Sequence, residues 1–393
     1  MEIQVLQQAD KVRERQTIPN FHPATTKERE MKILLLGEYS NVHATLAEGL
    51  RALGHYVVVA SNGDFWKDYP RDIDLKRTPG KIGGARLYAK TLMEMRHMSG
   101  FDVVQLINPM FLELKAERIV PFYKRLRKGN KKVFLGAFGM DYYWAMVNST
   151  TMPLRYSDFN IGNQIRTSED AIKERKDWIG TNKESLNKMI AEDCDGIIAG
   201  LYEYYATYKP LFPDKTVFIP FPIKFDKDVS YTFEVSNPIK LFIGISKGRS
   251  EYKGTDIMLR AALDVQQRHP NEVVINKAEG LPFNEYQRMM EGSDAILDQL
   301  YSYTPSMNSL LAMSKGIVCI GGGEEENYDI LDENELRPII NVQPTYESVV
   351  EQLEWLIANK NLIPKLKRDS VEYVRRHHDF IKVAEQYLTY WNK

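Results

Sequence analysis

From Met31 onward, short apolar runs alternate with longer amphipathic stretches, the pattern of a strand–helix repeat. Residues 33–36 form a compact apolar run ended by Gly37, as expected of a strand buried on both faces of a parallel sheet. Leu46, Leu50 and Leu53 follow at helical spacing, and Gly54 stands where a helix C-cap glycine would. Residues 56–60 form the next run, closed by the turn signal Ser61, Asn62 and Gly63. Runs at 103–107, 133–135 and 196–199 repeat the theme, with helical segments between them. The alternation predicts a doubly wound α/β arrangement. Pro220, Pro222, Asp226, Asp228 and Pro238 then interrupt any regular element, and a second α/β series begins. It has strands at 239–245, 273–275, 295–297 and 317–320, with helices at 255–268 and 308–315. Helical segments near 345–359, 362–377 and 382–391 close the chain.

The pattern therefore predicts two Rossmann-like domains in tandem. Residues 1–30 read as an N-terminal extension, 31–220 as the first domain, 221–238 as the linker and 239–375 as the second domain. Residues 376–393 read as a C-terminal helix packing back toward the first domain. A ligand of such a protein belongs in the cleft between the carboxyl ends of the two sheets.

Composition narrows the partners. The 52 Lys and Arg against 53 Asp and Glu leave a net charge of −1, without the basic excess of a duplex binder, so no nucleic-acid partner is expected. A hydrophobic content of 43% with 27% charged residues fits a globular chain rather than a disordered one. No apolar run approaches the roughly 18 residues of a membrane span. The first 30 residues, polar and carrying Arg13, Glu14 and Arg15, lack the apolar core of a secretory leader. Cys194 and Cys319 both sit in apolar, strand-like surroundings and read as buried free thiols, which suits a reducing cytoplasm.

Candidate chemistry concentrates in residues 241–254, where a strand runs into a loop holding Gly244, Gly248 and Gly254 and then into a helix. Glycines let backbone N–H groups approach an anion, and the helix start adds a favourable dipole. Lys247, Arg249 and Lys253 place three cations in the same loop, beside Ser246. The pattern reads either as a diphosphate site or as a solvated basic loop. Its spacing is neither a P-loop nor Gly-x-Gly-x-x-Gly, which turns the reading away from ATPases and nicotinamide enzymes.

This strand, basic loop, Lys253, Gly254 and helix resemble the donor-diphosphate loop of retaining GT-B glycosyltransferases of the family-4 type. Gly54, His55 and Tyr56 with Val57–Val59 resemble the second strand of that family, and residues 219–222 resemble its exit from the first domain. Ala312, Met313, Ser314, Lys315 and Gly316, followed by residues 317–320, resemble its late helix and strand. The resemblance runs from about Met31 to the C-terminus. It implies a GT-B fold with an acceptor domain first and a donor domain second. It also implies sugar transfer, with retention, from a nucleotide-diphosphate sugar to a saccharide or lipid-linked acceptor, in polysaccharide or glycoconjugate synthesis and with no metal or other cofactor required.

By the same resemblance, Lys253, Lys247, Arg249 and Asp141 would be catalytic. Gly244, Ser246, Gly248, Gly254, Ser306, Asn308, Ser309, Gly322 and Glu324 would line the donor, and Gly37, Glu38 and His43 the acceptor. The chain departs from the family at four places. The family's two glutamates ahead of the alanine fall on Tyr303 and Leu311, its Gly-Arg pair reads Gly244 and Ile245, and Phe138 replaces a histidine before Gly139 and Asp141. Leucine accepts no hydrogen bond, so ribose recognition of the usual kind is lost at Leu311. Each candidate also has a plainer reading. Ser306 and Ser309 read equally as helix caps, Gly321–Gly323 with Glu324–Glu326 as an acidic turn, and His43 as a packed histidine.

Asp72 with Asp74, and Asp193 with Asp195, spell Asp-x-Asp, but the first is a lone match of low specificity and the second, running directly into a strand, reads as a loop end. His377 and His378 lack partners at ligand spacing. The basic run 124–132, following Ile119, Val120 and Phe122, reads either as a peripheral contact with the inner face of a membrane or as a solvated helix C-terminus. Two rivals to the transferase remain: a degenerate GT-B protein that binds sugar or a partner without turnover, and a nucleotide-sugar epimerase.

Overall fold

The computed structural model describes residues 29–393 except 227–230, 246–247 and 249. The first half holds strands β1 (Lys32–Leu36), β2 (Tyr56–Ser61), β3 (Ile73–Asp74), β4 (Val103–Leu106), β5 (Lys132–Ala137), β6 (Asn160–Ile161), β7 (Gln164–Ile165), β8 (Gly196–Ala199) and β9 (Thr216–Phe218). Between them run helices α1 (Val42–Ala52), α2 (Gly80–Glu94), α3 (Ala116–Gly129), α4 (Tyr142–Thr150), α5 (Glu169–Trp178), α6 (Asn182–Asp193) and α7 (Tyr202–Tyr208). Seven of these strands form a parallel sheet in the order β3-β2-β1-β4-β5-β8-β9, while β6 and β7 make a separate antiparallel hairpin. Because β1 is central, its residues 33–36 are buried on both faces, and Leu34 lies between Val58 and Val104. This is why those strands are apolar without alternation.

The second half holds β10 (Ile239–Ile245), β11 (Val273–Glu279), β12 (Ala295–Leu297), β13 (Val318–Gly321) and β14 (Ile340–Asn341). Its helices are α8 (Ser250–Lys253), α9 (Thr255–Arg268), α10 (Phe283–Met290), α11 (Met307–Ser314), α12 (Glu325–Ile330), α13 (Tyr346–Ala358), α14 (Ile363–His377) and α15 (Phe380–Trp391). The parallel sheet here runs β11-β10-β12-β13-β14, so β11 is an edge strand. Lys277 and Glu279 are exposed on it, and such charges discourage pairing with another chain.

The two sheets share apolar packing. Phe138, Phe159 and Tyr208 from the first half belong to one buried cluster with Tyr303, Leu310, Met313, Cys319 and Tyr373 from the second. Both cysteines are buried and unpaired. Buried polar groups tie the frame further. Lys367 Nζ of α14 donates to Asp294 Oδ1 at 2.7 Å and to the Glu234 carbonyl at 2.8 Å, while Asp294 accepts the backbone N–H of Lys240 at 2.8 Å.

The chain ends on the first half. The Ile223 N–H donates to the His378 carbonyl, Phe380 N–H returns a bond to Ile223, and α15 lies against α1. The close approach needs Gly49, since a Cβ there would stand 2.4 Å from the Phe380 carbonyl oxygen. Gly49→Ala is therefore expected to destabilise the chain by about 1–3 kcal/mol through overpacking, read as a lower denaturant midpoint. An unchanged midpoint would show that α15 can shift at no cost.

Candidate functional site

Loops at the carboxyl ends of the two parallel sheets meet each other, and the candidate residues lie on these loops. On the first sheet, Gly37 follows β1 with φ +88°, and a Cβ there would fall 2.2 Å from Ile107 Cγ2, so only glycine lets the chain turn at this point. Glu38 then folds back onto the start of α1. Its carboxylate accepts the N–H of Ala44 at 2.8 Å and of His43 at 3.3 Å, serving donors that the left-handed Asn41 at the N-cap leaves unserved. Burial pushes the Glu38 carboxyl up to about 8, against these bonds and with Asp64 adding to the rise.

His43 is also buried, and burial holds its imidazole down to about 3, so it is neutral at physiological pH. Nδ1 lies 2.8 Å from the Gly37 carbonyl, which accepts, so the proton sits on Nδ1 and Nε2 keeps a bare lone pair. That Nε2 has no partner among the described residues, and the ring meets Phe138 edge-on at 6.4 Å. In this arrangement His43 is packed rather than poised as an acid. Asp141 is likewise enclosed. It caps α4 through Trp144 N–H at 2.8 Å and accepts the Tyr208 hydroxyl at 2.7 Å. Burial raises its carboxyl to about 7. Phe138 packs on Phe221 at 5.4 Å.

On the second sheet, Ser246, Lys247 and Arg249 lie outside the described residues. Gly244, next to last in β10, lies under Tyr286, whose hydroxyl would stand 2.5 Å from a Cβ. Gly248 and Gly254 have φ +73° and +70°, and Gly254 is the N-cap of α9. Lys253 is half-buried at the end of α8, and its carbonyl accepts Leu300 N–H at 2.9 Å. An open groove of about 640 Å³ adjoins this segment, lined by Gly248, Ser250, Asp256, Arg260, Lys277 and Glu279 among others.

Ser306, Asn308 and Ser309 converge on one buried carboxylate, that of Asp298. Ser306 Oγ reaches it at 2.8 Å, Asn308 Nδ2 at 3.0 Å, and Ser309 Oγ also donates. Ser306 is the N-cap of α11 but its hydroxyl caps no backbone N–H, because Asp298 competes for it. Leu311 packs with Leu281 and Tyr286 against the Phe242 cluster. Gly322 and Gly323 permit close chain packing, with Cβ positions 2.4 Å from the Ser302 carbonyl and 2.6 Å from Ile339 Cγ2.

Glu324 is buried and fully engaged across the sheets. Its Oε1 accepts the Tyr156 hydroxyl and Gln343 Nε2, each at 2.7 Å, and its Oε2 accepts Arg155 Nη2 at 2.8 Å. Burial opposes ionisation, yet these donors together with Asn341 and the Arg155 charge hold the carboxyl below the usual range. Arg155 also pairs with Glu326 and lies 5.0 Å over the Tyr303 ring, on which Tyr156 stacks at 4.6 Å.

Residues that the sequence did not single out complete the junction. Glu203, Arg155, Tyr156 and Arg166 reach the second sheet's loops, and Tyr69 and Trp66 meet Phe283 at 5.6 and 6.1 Å. Trp66 and its neighbour Phe65 are 60% and 56% exposed. The only local cue was a turn rich in aromatic and acidic residues at 64–69. Nothing in the sequence pairs Arg155 with a glutamate so far away.

The basic stretch 124–132 belongs mostly to α3, whose apolar Ile119, Phe122, Tyr123 and Leu126 are buried. Arg127 pairs with Asp195 at 2.6 Å and Lys131 with Asp102, so the helix offers no apolar face to a membrane. No helix among the described residues is long and apolar enough to cross one. Among the described residues no group of three or more His, Cys, Asp or Glu is placed to hold a metal ion.

No family model matches the chain, and no curated protein matches it. Solved structures do resemble it. HepE of Anabaena, in complex with UDP and glucose, matches at TM-score 0.56 and 12% identity, covering 92% of this chain and 99% of that one. WaaG, a glycosyltransferase involved in lipopolysaccharide biosynthesis, matches at TM-score 0.55 and 12% identity, covering 91% and 98%. A protein of Listeria monocytogenes described as a UDP-N-acetylglucosamine 2-epimerase matches at TM-score 0.51 and 10% identity, covering 92% and 95%. The fold is thus the GT-B fold, two Rossmann-like α/β halves with their strand ends facing.

Proposed function

We propose that this chain is a glycosyltransferase that moves a sugar from a nucleotide-diphosphate donor, with retention, to a saccharide or lipid-linked acceptor in polysaccharide or glycoconjugate synthesis. The observation that carries the reading is the segment at the carboxyl end of β10. There Gly248 and Ser250 line an open groove, with Lys253 and Gly254 just after them in the chain, at the carboxyl end of a strand, where α/β folds bind nucleotides. Lys253, with Lys247 and Arg249, would hold the leaving diphosphate, and positive charge at a leaving group is a large catalytic term. The nucleoside would lie along the groove beside Arg260 and Lys277. Glu38, whose carboxyl is raised into the neutral range, and the Gly37 turn would meet the acceptor. The exposed Lys124, Arg125 and Lys128 leave electrostatic contact with an anionic membrane surface, without an insertion face, as the route to a lipid-linked acceptor.

A second reading, a sugar- or partner-binding protein without turnover, is favoured by one specific feature. The acid expected to hold donor hydroxyls, Glu324, is taken up by Arg155, Tyr156 and Gln343, and Leu311 offers no ribose ligand. The same occupancy weighs against an epimerase relying on Glu324–Glu326.

Thermal unfolding against UDP, GDP, ADP, CMP and common nucleotide sugars separates the readings. A ligand at about 100 times its Kd adds about 2.7 kcal/mol, so a selective rise in midpoint with one diphosphate is expected. No rise with any of them would sink the transferase and leave the binding protein.

A further inference from the structure

We infer that Arg166 is a donor-site residue: the first half of the chain supplies a guanidinium to the diphosphate segment of the second. The inference rests on the donor reading above and names one more residue of that site.

Arg166 directly follows strand β7 of the short hairpin, and its backbone is fixed from both sides. Its N–H donates to the Phe159 carbonyl at 2.8 Å, and its own carbonyl accepts Arg175 Nη1 at 2.8 Å. The side chain then crosses to the other half. Nη2 donates to the Glu251 carbonyl in α8 at 3.0 Å, Nη1 to the Ser157 carbonyl at 3.2 Å, and Cζ stands 3.8 Å from the centre of the Tyr301 ring. Tyr301 in turn lies beside Gly254, where a Cβ would meet its Cε2 at 3.0 Å. The guanidinium is thereby laid next to the 250–254 segment that holds Lys253.

Two features point to an anion. The cation is half-buried and forms no ion pair with any carboxylate among the described residues: it takes the carbonyl of Glu251, not its side chain. A partly desolvated cation held by carbonyls and a ring keeps most of its charge uncompensated. Moreover a guanidinium has five N–H donors, and the two carbonyls use two, so donors remain for phosphate oxygens in the planar geometry that suits them.

The test is calorimetric binding to the full chain of UDP, GDP and ADP, of their monophosphates and of the bare nucleosides. Wild type, Arg166→Gln and Arg166→Lys are compared, with thermal melts to establish folding. For the diphosphate that binds wild type, Arg166→Gln is expected to lose about tenfold or more in affinity, and its nucleoside less than about twofold. Arg166→Lys should fall between, since it restores charge without the planar fork. Equal losses for nucleoside and diphosphate would make Arg166 a merely structural strap and overturn the inference, as would an unchanged diphosphate affinity. A wild type that binds no diphosphate would overturn the donor reading itself and this inference with it.

Discussion

Lys253→Ala is expected to cut sugar transfer by roughly 10²–10³-fold, the usual loss when one group that stabilises developing charge is removed. Binding of the nucleoside diphosphate should weaken in parallel, and the fold should persist. Its carbonyl receives Leu300 N–H at 2.9 Å, a bond that alanine keeps. Gly254 immediately after it is the residue with the demanding conformation, at φ +70°, and it is untouched. Steady-state transfer with the donor selected by the nucleotide panel, alongside diphosphate affinity, reads both effects. Turnover equal to wild type would remove this lysine from the chemistry. A loss of affinity with unaltered turnover at saturating donor would make it a binding residue only.

How far the sequence carries such an argument depends on where the partners lie. Strands buried on both faces announce themselves: β1, β5 and β8 are continuous apolar runs, and the structure places each within one or two residues of its pattern. Edge strand β11 extends to Glu279, four residues past the apolar run, because Lys277 and Glu279 face solvent and carry no hydrophobic signal. The hairpin of β6 and β7 was invisible for the same reason, with Ile161 and Ile165 exposed rather than alternating with a core. Its consequence for the site is large, since it brings Arg155, Tyr156 and Arg166 onto the other sheet's loops.

The candidate site was legible as residue types and positions, less so as geometry. Glycines at 244, 322 and 323 do mark close approaches, but what approaches is Tyr286, Ser302 and Ile339 of the chain itself. A glycine in a sequence states that space is needed, not what fills it. Ser306, Asn308 and Ser309 read as donor-lining residues, with Ser306 and Ser309 alternatively as helix caps. In the structure their side chains bond Asp298, eight to eleven positions earlier, a residue the sequence gives no reason to single out. Buried carboxylates capture hydroxyls and amides before a ligand arrives, so polar clusters near a cleft read as binding sites more often than they are.

Glu203→Ala is expected to be among the most damaging single changes in the chain, costing on the order of 3–5 kcal/mol by leaving buried donors unsatisfied at about 1–3 kcal/mol each. Glu203 opens α7 at the end of the first sheet, yet its carboxylate serves residues 302–304 of the second, about a hundred positions away. Oε1 accepts Tyr303 N–H at 2.6 Å and Thr304 N–H at 3.2 Å, and Oε2 accepts the Thr304 hydroxyl at 2.6 Å. Ser302 Oγ lies 2.9 Å from the same Oε1 and 2.5 Å from the Thr304 carbonyl, with one proton for the two acceptors. The loop so held carries Tyr303, on which Tyr156 stacks, and its Ser302 carbonyl meets Gly322. Removal of the carboxylate thus releases the loop that sets the two halves against each other. Glu203→Gln keeps the volume and one acceptor oxygen and should cost about 1–3 kcal/mol, because charged acceptors bind more strongly than neutral ones. Denaturant midpoints for the two variants give the comparison. If alanine cost no more than glutamine, water would be replacing the carboxylate, and Glu203 would not be what holds the halves in register.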